Sequence, residues 1–101
     1  MAKIINSVAE FEEIIKSGTT LIDFYADWCG PCKMLGPLFE MVSKEVDGVN
    51  FIKINTDILP TIADKFEVAS IPTIVKIING KEATRKVGLL GKDALLELAI
   101  K

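Results

Sequence analysis

A chain of 101 residues, 50% apolar and 26% charged, has the composition of one globular domain with its own hydrophobic core. Its formal net charge of −2 gives no field that would draw in DNA, RNA or an anionic membrane surface. No stretch approaches the roughly 18 apolar residues of a membrane span, and the opening "MAKIINSVAEFEE" has no apolar h-region, so a cytoplasmic protein is expected.

Residues 3–5, "KII", read as a short strand. Ser7 and Glu10 form a capping box, and Val8, Phe11, Ile14 and Ile15 then recur at helical spacing until Gly18. "TLIDFYA", 20–26, is β-branched, aromatic and mostly apolar, as a strand covered on both faces would be. Met34, Leu35, Leu38, Met41 and Val42 then describe an amphipathic helix to about Val46, with a kink expected at Pro37. "VNFIKIN", 49–55, is a second strand of the buried type, and a short helix follows near Pro60–Phe66, its proline suited to the first turn. "TIVKII", 73–78, and "EATRKVG", 82–88, flank the hairpin turn Asn79-Gly80-Lys81. Lys81, Arg85 and Lys86 read as a solvated hairpin edge. Lys92–Ile100 closes the chain as a helix.

This order, β-α-β-α-β-α-β-β-α, calls for an α/β fold: a single domain over residues 1–101, with a mixed central sheet and helices on both faces. Parallel crossovers put ligand chemistry at the carboxyl ends of strands. The segment "DFYADWCGPCKM", 23–34, lies at such an end and holds both cysteines and the one tryptophan.

In a reducing compartment such a pair is catalytic, redox-active or metal-binding before it is a staple. Zinc and iron–sulfur clusters ask for about four ligands. Two cysteines without a histidine leave a metal site needing a second chain, so no metal is expected. A purely structural disulfide closing so short a loop contributes only about 2 kcal/mol. Asp23 is the second signal, because a carboxylate in a covered strand is costly to desolvate. A wet strand edge is the plain alternative; its place in the strand feeding the cysteine turn points to function.

"WCGPCK", Asp23 in the preceding strand, "IPT" at 71–73, Asn79-Gly80 and Gly88, in this order, resemble the thioredoxin family over nearly the whole chain. The resemblance implies the thioredoxin fold, with a five-stranded mixed sheet. It implies a general protein-disulfide reductase, an electron carrier that needs no cofactor and acts as a monomer. Thioredoxin reductase would re-reduce it and disulfide-containing proteins would be its targets. Cys29 and Cys32 would then form the redox disulfide, with Cys29 as nucleophile and Cys32 as resolving thiol. Asp23 would take and return the proton of Cys32, with Lys53 as its neighbour. Trp28, Gly30, Pro31, Ile71, Pro72, Val87 and Gly88 would form an apolar rim around an exposed sulfur, with Pro72 in cis and the Ile71 backbone free to pair with substrate. Taken singly, Trp28 reads more often as core packing than as rim, and Lys53 equally as a surface residue.

The chemistry agrees with these assignments. A cysteine attacks as thiolate, and a sulfur at a helix start meets unpaired N–H groups and the positive end of the dipole. Gly30-Pro31 adds no charge beside Cys29 and the chain has no histidine, which favours a reductant over an oxidase or isomerase. A redox-independent binding subunit is the rival from another class. Two positions depart from the family pattern: Lys76 stands where an aliphatic residue is more usual, and Ile78 where lysine is common.

Overall fold

The computed structural model describes residues 2–101. Its elements are β1 (Lys3–Ile4), α1 (Val8–Ile15), β2 (Thr19–Tyr25), α2 (Gly30–Glu45), β3 (Val49–Asn55), α3 (Pro60–Lys65), β4 (Thr73–Ile78), β5 (Lys81–Val87) and α4 (Lys92–Ile100). The strands form one sheet in the order β1-β3-β2-β4-β5. β3 runs parallel to both β1 and β2, while β4 is antiparallel to β2 and β5. The mixed, helix-flanked sheet expected from the element order is the observed one.

Side chains alternate across a strand, so successive residues of β2 feed opposite cores. Ile22 and Phe24 join Phe11 of α1 and Ile62 of α3 on one face. Leu21 joins Leu35 and Phe39 of α2 and Leu95 of α4 on the other. All of these are buried, and each is worth about 1.5–3 kcal/mol relative to exposure. Asp23 has the parity of Leu21, so its carboxylate points toward the α2 layer.

Local signals in the sequence account for the ends of the elements. The Ser7 hydroxyl accepts from the Glu10 N–H at 3.1 Å, while the Glu10 carboxylate accepts from the Asn6 N–H at 3.2 Å, one residue before the partner a capping box uses. Lys3 pairs with Glu10 at 2.8 Å and draws its carboxylate toward the chain start. In the β4–β5 turn, Asn79 and Gly80 both take positive φ, 48° and 83°, as a turn matched to strand twist requires. The Asn79 side chain accepts from the Gly18 N–H at 2.8 Å, and the Asn79 N–H donates to the Gly18 carbonyl at 2.9 Å. α2 continues through Pro37 as one helix, so the kink expected there does not divide it. β2 starts and ends one residue earlier than the apolar run indicated. On β4, Lys76 is buried and Ile78 is exposed.

Candidate functional site

The chain leaves β2 at the carboxyl edge of the parallel strands and turns through 26–28 into α2. Cys29 is the N-cap of α2, with extended backbone at φ −87° and ψ 113°. Its sulfur accepts the Cys32 N–H at 3.2 Å, one of the donors a helix start leaves unpaired. Gly30 and Pro31 occupy the first turn, where the missing N–H of proline costs nothing. The two cysteines are joined as a disulfide, with Cα atoms 5.3 Å apart.

Both half-cystines are buried, Cys29 at 4% and Cys32 at 5% relative exposure. This corrects the expectation of an exposed sulfur on Cys29, whereas the shielding expected of Cys32 is observed. The cause is the packing of Ala26 and Ile71 on the disulfide, with the Ile71 carbonyl oxygen 3.8 Å from the Cys29 sulfur. In this form the two sulfurs differ in their place on the helix, not in depth.

Around the disulfide the residues of the expected rim come together in part. The Ile71–Pro72 bond is cis, as the resemblance implied. Gly88, at φ 97°, donates its N–H to the Pro72 carbonyl at 2.9 Å, and Val87 lies opposite Thr73 in the β4–β5 register. Val87 is exposed and Pro72 is buried. Trp28 is 70% exposed, which rules out the core-packing alternative. Its indole N–H donates to the Asp57 carboxylate at 2.8 Å. The Asp57 N–H in turn donates to the Asn55 side chain at 2.9 Å. Trp28 and Ile71 border a groove of about 360 Å³ completed by Thr56, Val68, Ala69 and Ser70. Sequence reasoning missed Asp57 and the 68–70 wall. The only cue to Asp57 was a polar residue just past the end of a parallel strand.

On the inner side, Asp23 is fully buried and neither carboxylate oxygen has a hydrogen-bond partner among the described residues. The wet-edge alternative is thereby excluded. Burial raises its pKa to about 6, against the opposing pull of the Lys53 charge. Lys53 lies beside Asp23 in the β2–β3 register but makes no ion pair with it. Its ammonium sits over the Tyr25 ring instead, 4.8 Å from the centroid. A cavity of about 520 Å³ is lined by Cys32, Tyr25, Asp27, Gly36, Glu40 and Lys53, among others. A Cβ on Gly36 would lie 3.4 Å from the Lys53 nitrogen, in ordinary van der Waals contact. Burial also raises the Tyr25 pKa, reinforced by Asp27 and Asp23 and opposed by a hydrogen bond with Asn55. Tyr25 is a further residue that sequence reasoning missed.

A disulfide at a helix start, with a raised-pKa carboxylate on the strand that feeds it, can exchange with thiols and move a proton as it does so. Among the described residues no group of three or more His, Cys, Asp or Glu side chains is placed to hold a metal ion. Nor is any helix there long and apolar enough to cross a membrane. The fold and the cysteine pair define a thiol–disulfide oxidoreductase.

The comparisons name the family. The thioredoxin family model matches residues 2–101. The thioredoxin of Chlamydia trachomatis serovar D is 45% identical over 95 residues, covering 94% of this chain and 93% of that protein. The thioredoxin of Mycoplasmoides gallisepticum is 38% identical over 97 residues, covering 95% and 97%. Among solved structures, Plasmodium falciparum thioredoxin superposes with a TM-score of 0.91 at 36% identity, covering 96% of this chain and 95% of that one. Oxidised mitochondrial thioredoxin 3 of Saccharomyces cerevisiae gives 0.88 at 33% identity, covering 97% and 92%. The chain belongs to the thioredoxin family.

Proposed function

We propose that this protein is a general protein-disulfide reductant whose residues 1–101 act as one domain. In the reduced form, the Cys29 thiolate attacks a target disulfide, forming a mixed disulfide and expelling one target sulfur as thiolate. Cys32, deprotonated by Asp23, attacks Cys29 and releases the second target sulfur. The target gains two electrons and two protons, and the Cys29–Cys32 disulfide is regenerated. The observation that carries this reading is the buried, unpartnered Asp23 carboxylate facing the layer that carries the cysteine pair. With a pKa of about 6 it is mostly ionised near neutral pH, able to take a proton and return it.

Trp28, Ile71, Pro72, Val87 and Gly88, with Gly30 and Pro31 at the helix start, form the docking surface. The groove between Trp28 and Ile71 takes an extended segment of the target through its backbone, which allows many targets. Re-reduction by a thioredoxin reductase completes the cycle, with no cofactor bound to this chain. The compartment that suits it is the cytoplasm, where a dithiol stays reduced, and a monomer leaves the docking surface open.

The test is turnover of a protein disulfide, such as that of insulin, driven by NADPH and a thioredoxin reductase. The wild type is expected to couple NADPH oxidation to insulin reduction, and Cys29→Ser to abolish it. Reduction of the protein by the reductase with no turnover of insulin would overturn the general-reductant reading.

A further inference from the structure

Lys76 stands at a strand position where the family more often carries an aliphatic side chain, and neither the fold nor the dithiol accounts for it. Its side chain has the parity of Ile74 and Ile78, on the face of β4 that meets α4. Only 6% of the residue is exposed. Among the described residues no hydrogen bond or ion pair reaches its ammonium. It is also not among the sealed, unpartnered atoms, which are the two Asp23 oxygens, so the ammonium keeps an opening.

That opening is a cavity of about 500 Å³ between the inner face of β5 and α4. Lys76 lies opposite Thr84 and Ile74 opposite Lys86, so Lys76 and Lys86 share this face. α4 presents Ala94, Glu97 and Leu98 to it at helical spacing, and its C-cap Lys101 completes the wall. Three lysines thus meet one carboxylate, and Glu97 already lies 3.6 Å from the Lys101 nitrogen. Ile78, 41% exposed, and Leu98 supply apolar wall. A lysine normally buries its stem and extends its charge into bulk water. Lys86 and Lys101 are exposed in that way, whereas Lys76 is held at the buried side of the cavity.

We propose that the β5–α4 groove is a binding site for a small organic anion, an oxyacid group on an apolar body. Lys76 is the buried anchor for the charge and Lys86 the outer one, while Ile78 and Leu98 take the apolar part. The site is independent of the dithiol chemistry proposed above. Carboxylates and phosphomonoesters share the required chemistry.

Phenyl phosphate and benzoate, titrated separately into 15N-labelled protein at constant ionic strength, distinguish the two sources. Saturable amide shifts are expected at Thr84, Lys86 and Leu98, with the Trp28 and Cys29 amides unmoved. The probe that saturates at lower concentration names the oxyacid. Lys76→Met is expected to weaken binding at least about tenfold, since it removes a buried charged donor, while turnover of insulin stays at the wild-type rate. Lys86→Ala, at an exposed position that leaves the fold intact, is expected to weaken binding about threefold or more. Shifts that rise linearly without saturation for both probes, or equal affinities in wild type and Lys86→Ala, would overturn the proposal. So would equal affinities in wild type and a folded Lys76→Met.

Discussion

Asp23 and Lys53 occupy paired register positions on adjacent strands, yet the Asp23 carboxylate has no partner and the Lys53 ammonium rests on the Tyr25 ring. A direct ion pair would hold the carboxylate ionised well below neutral pH. Diverting the ammonium to an aromatic face leaves burial as the dominant influence, and the Asp23 pKa rises to about 6. A reductant working near neutral pH needs an acid that changes state close to that pH. In the proposed cycle, the stability lost by burying an unpaired carboxylate is tied to the proton transfer assigned to Asp23.

The first prediction is a stability profile. The folded-state pKa of Asp23, about 6, lies above the ordinary aspartate value of 3.8, so the native state binds more protons than the unfolded one between these values. Stability on this account falls as pH rises through the window from about 4 to about 6, and the loss is complete above it. The difference between the two values corresponds to ~3 kcal/mol. Asp23→Asn is expected to unfold at higher denaturant than wild type at pH 7.5, with the gap closing by pH 4. Resolution of a mixed disulfide at pH 7.5 is expected to slow about tenfold or more in the variant, read by quenched-flow mass analysis. Equal unfolding midpoints at pH 7.5 would contradict the burial cost.

Tyr25 tests the diversion of Lys53. Tyr25→Leu removes the ring, and the ammonium is then free to approach Asp23, which lowers the carboxyl pKa. The acid limb of the rate of mixed-disulfide resolution is expected to move about half a pH unit or more to lower pH, given ~0.5–1 kcal/mol for a cation–π contact. Tyr25→Phe keeps the aromatic face and is expected to keep the wild-type limb. Identical limbs in Tyr25→Leu and wild type would show that the ring does not position Lys53.

The two cysteines are equally buried in the disulfide form, so the proposed roles rest on place on the helix. The Cys29 sulfur caps α2 and accepts the Cys32 N–H, and helix-start donors favour its thiolate. Cys32→Ser is expected to accumulate a mixed disulfide through Cys29, seen as a mass adduct that dithiothreitol removes. Cys29→Ser is expected to trap none. Adducts on Cys29→Ser alone would reverse the roles.

What was legible in the sequence divides by range. The bounds 49–55, 73–78 and 92–100 read from local pattern match β3, β4 and α4, because period-2 and period-3.6 burial is written in neighbouring residues. Asp23 stood out because a charge in an apolar run is anomalous before any partner is known. The Trp28–Asp57 hydrogen bond joins residues 29 apart, and the Ile71 carbonyl meets Cys29 across 42. Neither contact leaves a local trace, and the second is what closes over Cys29 and defeats the expectation of an exposed sulfur. Lys53 was found as a neighbour of Asp23 by resemblance, but its seat on Tyr25 depends on the β2–β3 register.

The end of α3 offers a test of backbone strain that leaves the dithiol untouched. The Val68 N–H donates to the Ala63 carbonyl and the Glu67 N–H to the Asp64 carbonyl, both at 3.0 Å. These are the two bonds of a Schellman ending, which places Glu67 in the left-handed position usually held by glycine. Its φ is 52°, a conformation that costs a residue with a Cβ roughly 1–2 kcal/mol. The helix end is also held by Arg85, whose guanidinium donates to the Phe66 carbonyl at 2.7 Å and pairs with Glu82 at 2.6 Å. The Glu67 side chain takes part in neither contact. Glu67→Gly is therefore expected to stabilise the protein, the relief of strain exceeding the added freedom of glycine in the unfolded chain. The net gain expected is about 0.5–1 kcal/mol, or ~2–8 °C in Tm for a domain of this size. Glu67→Ala keeps the Cβ and is expected to stay within about 0.5 kcal/mol of wild type. Thermal unfolding of the three proteins under one buffer condition decides it. A Glu67→Gly protein no more stable than Glu67→Ala would show that the left-handed position is not strained.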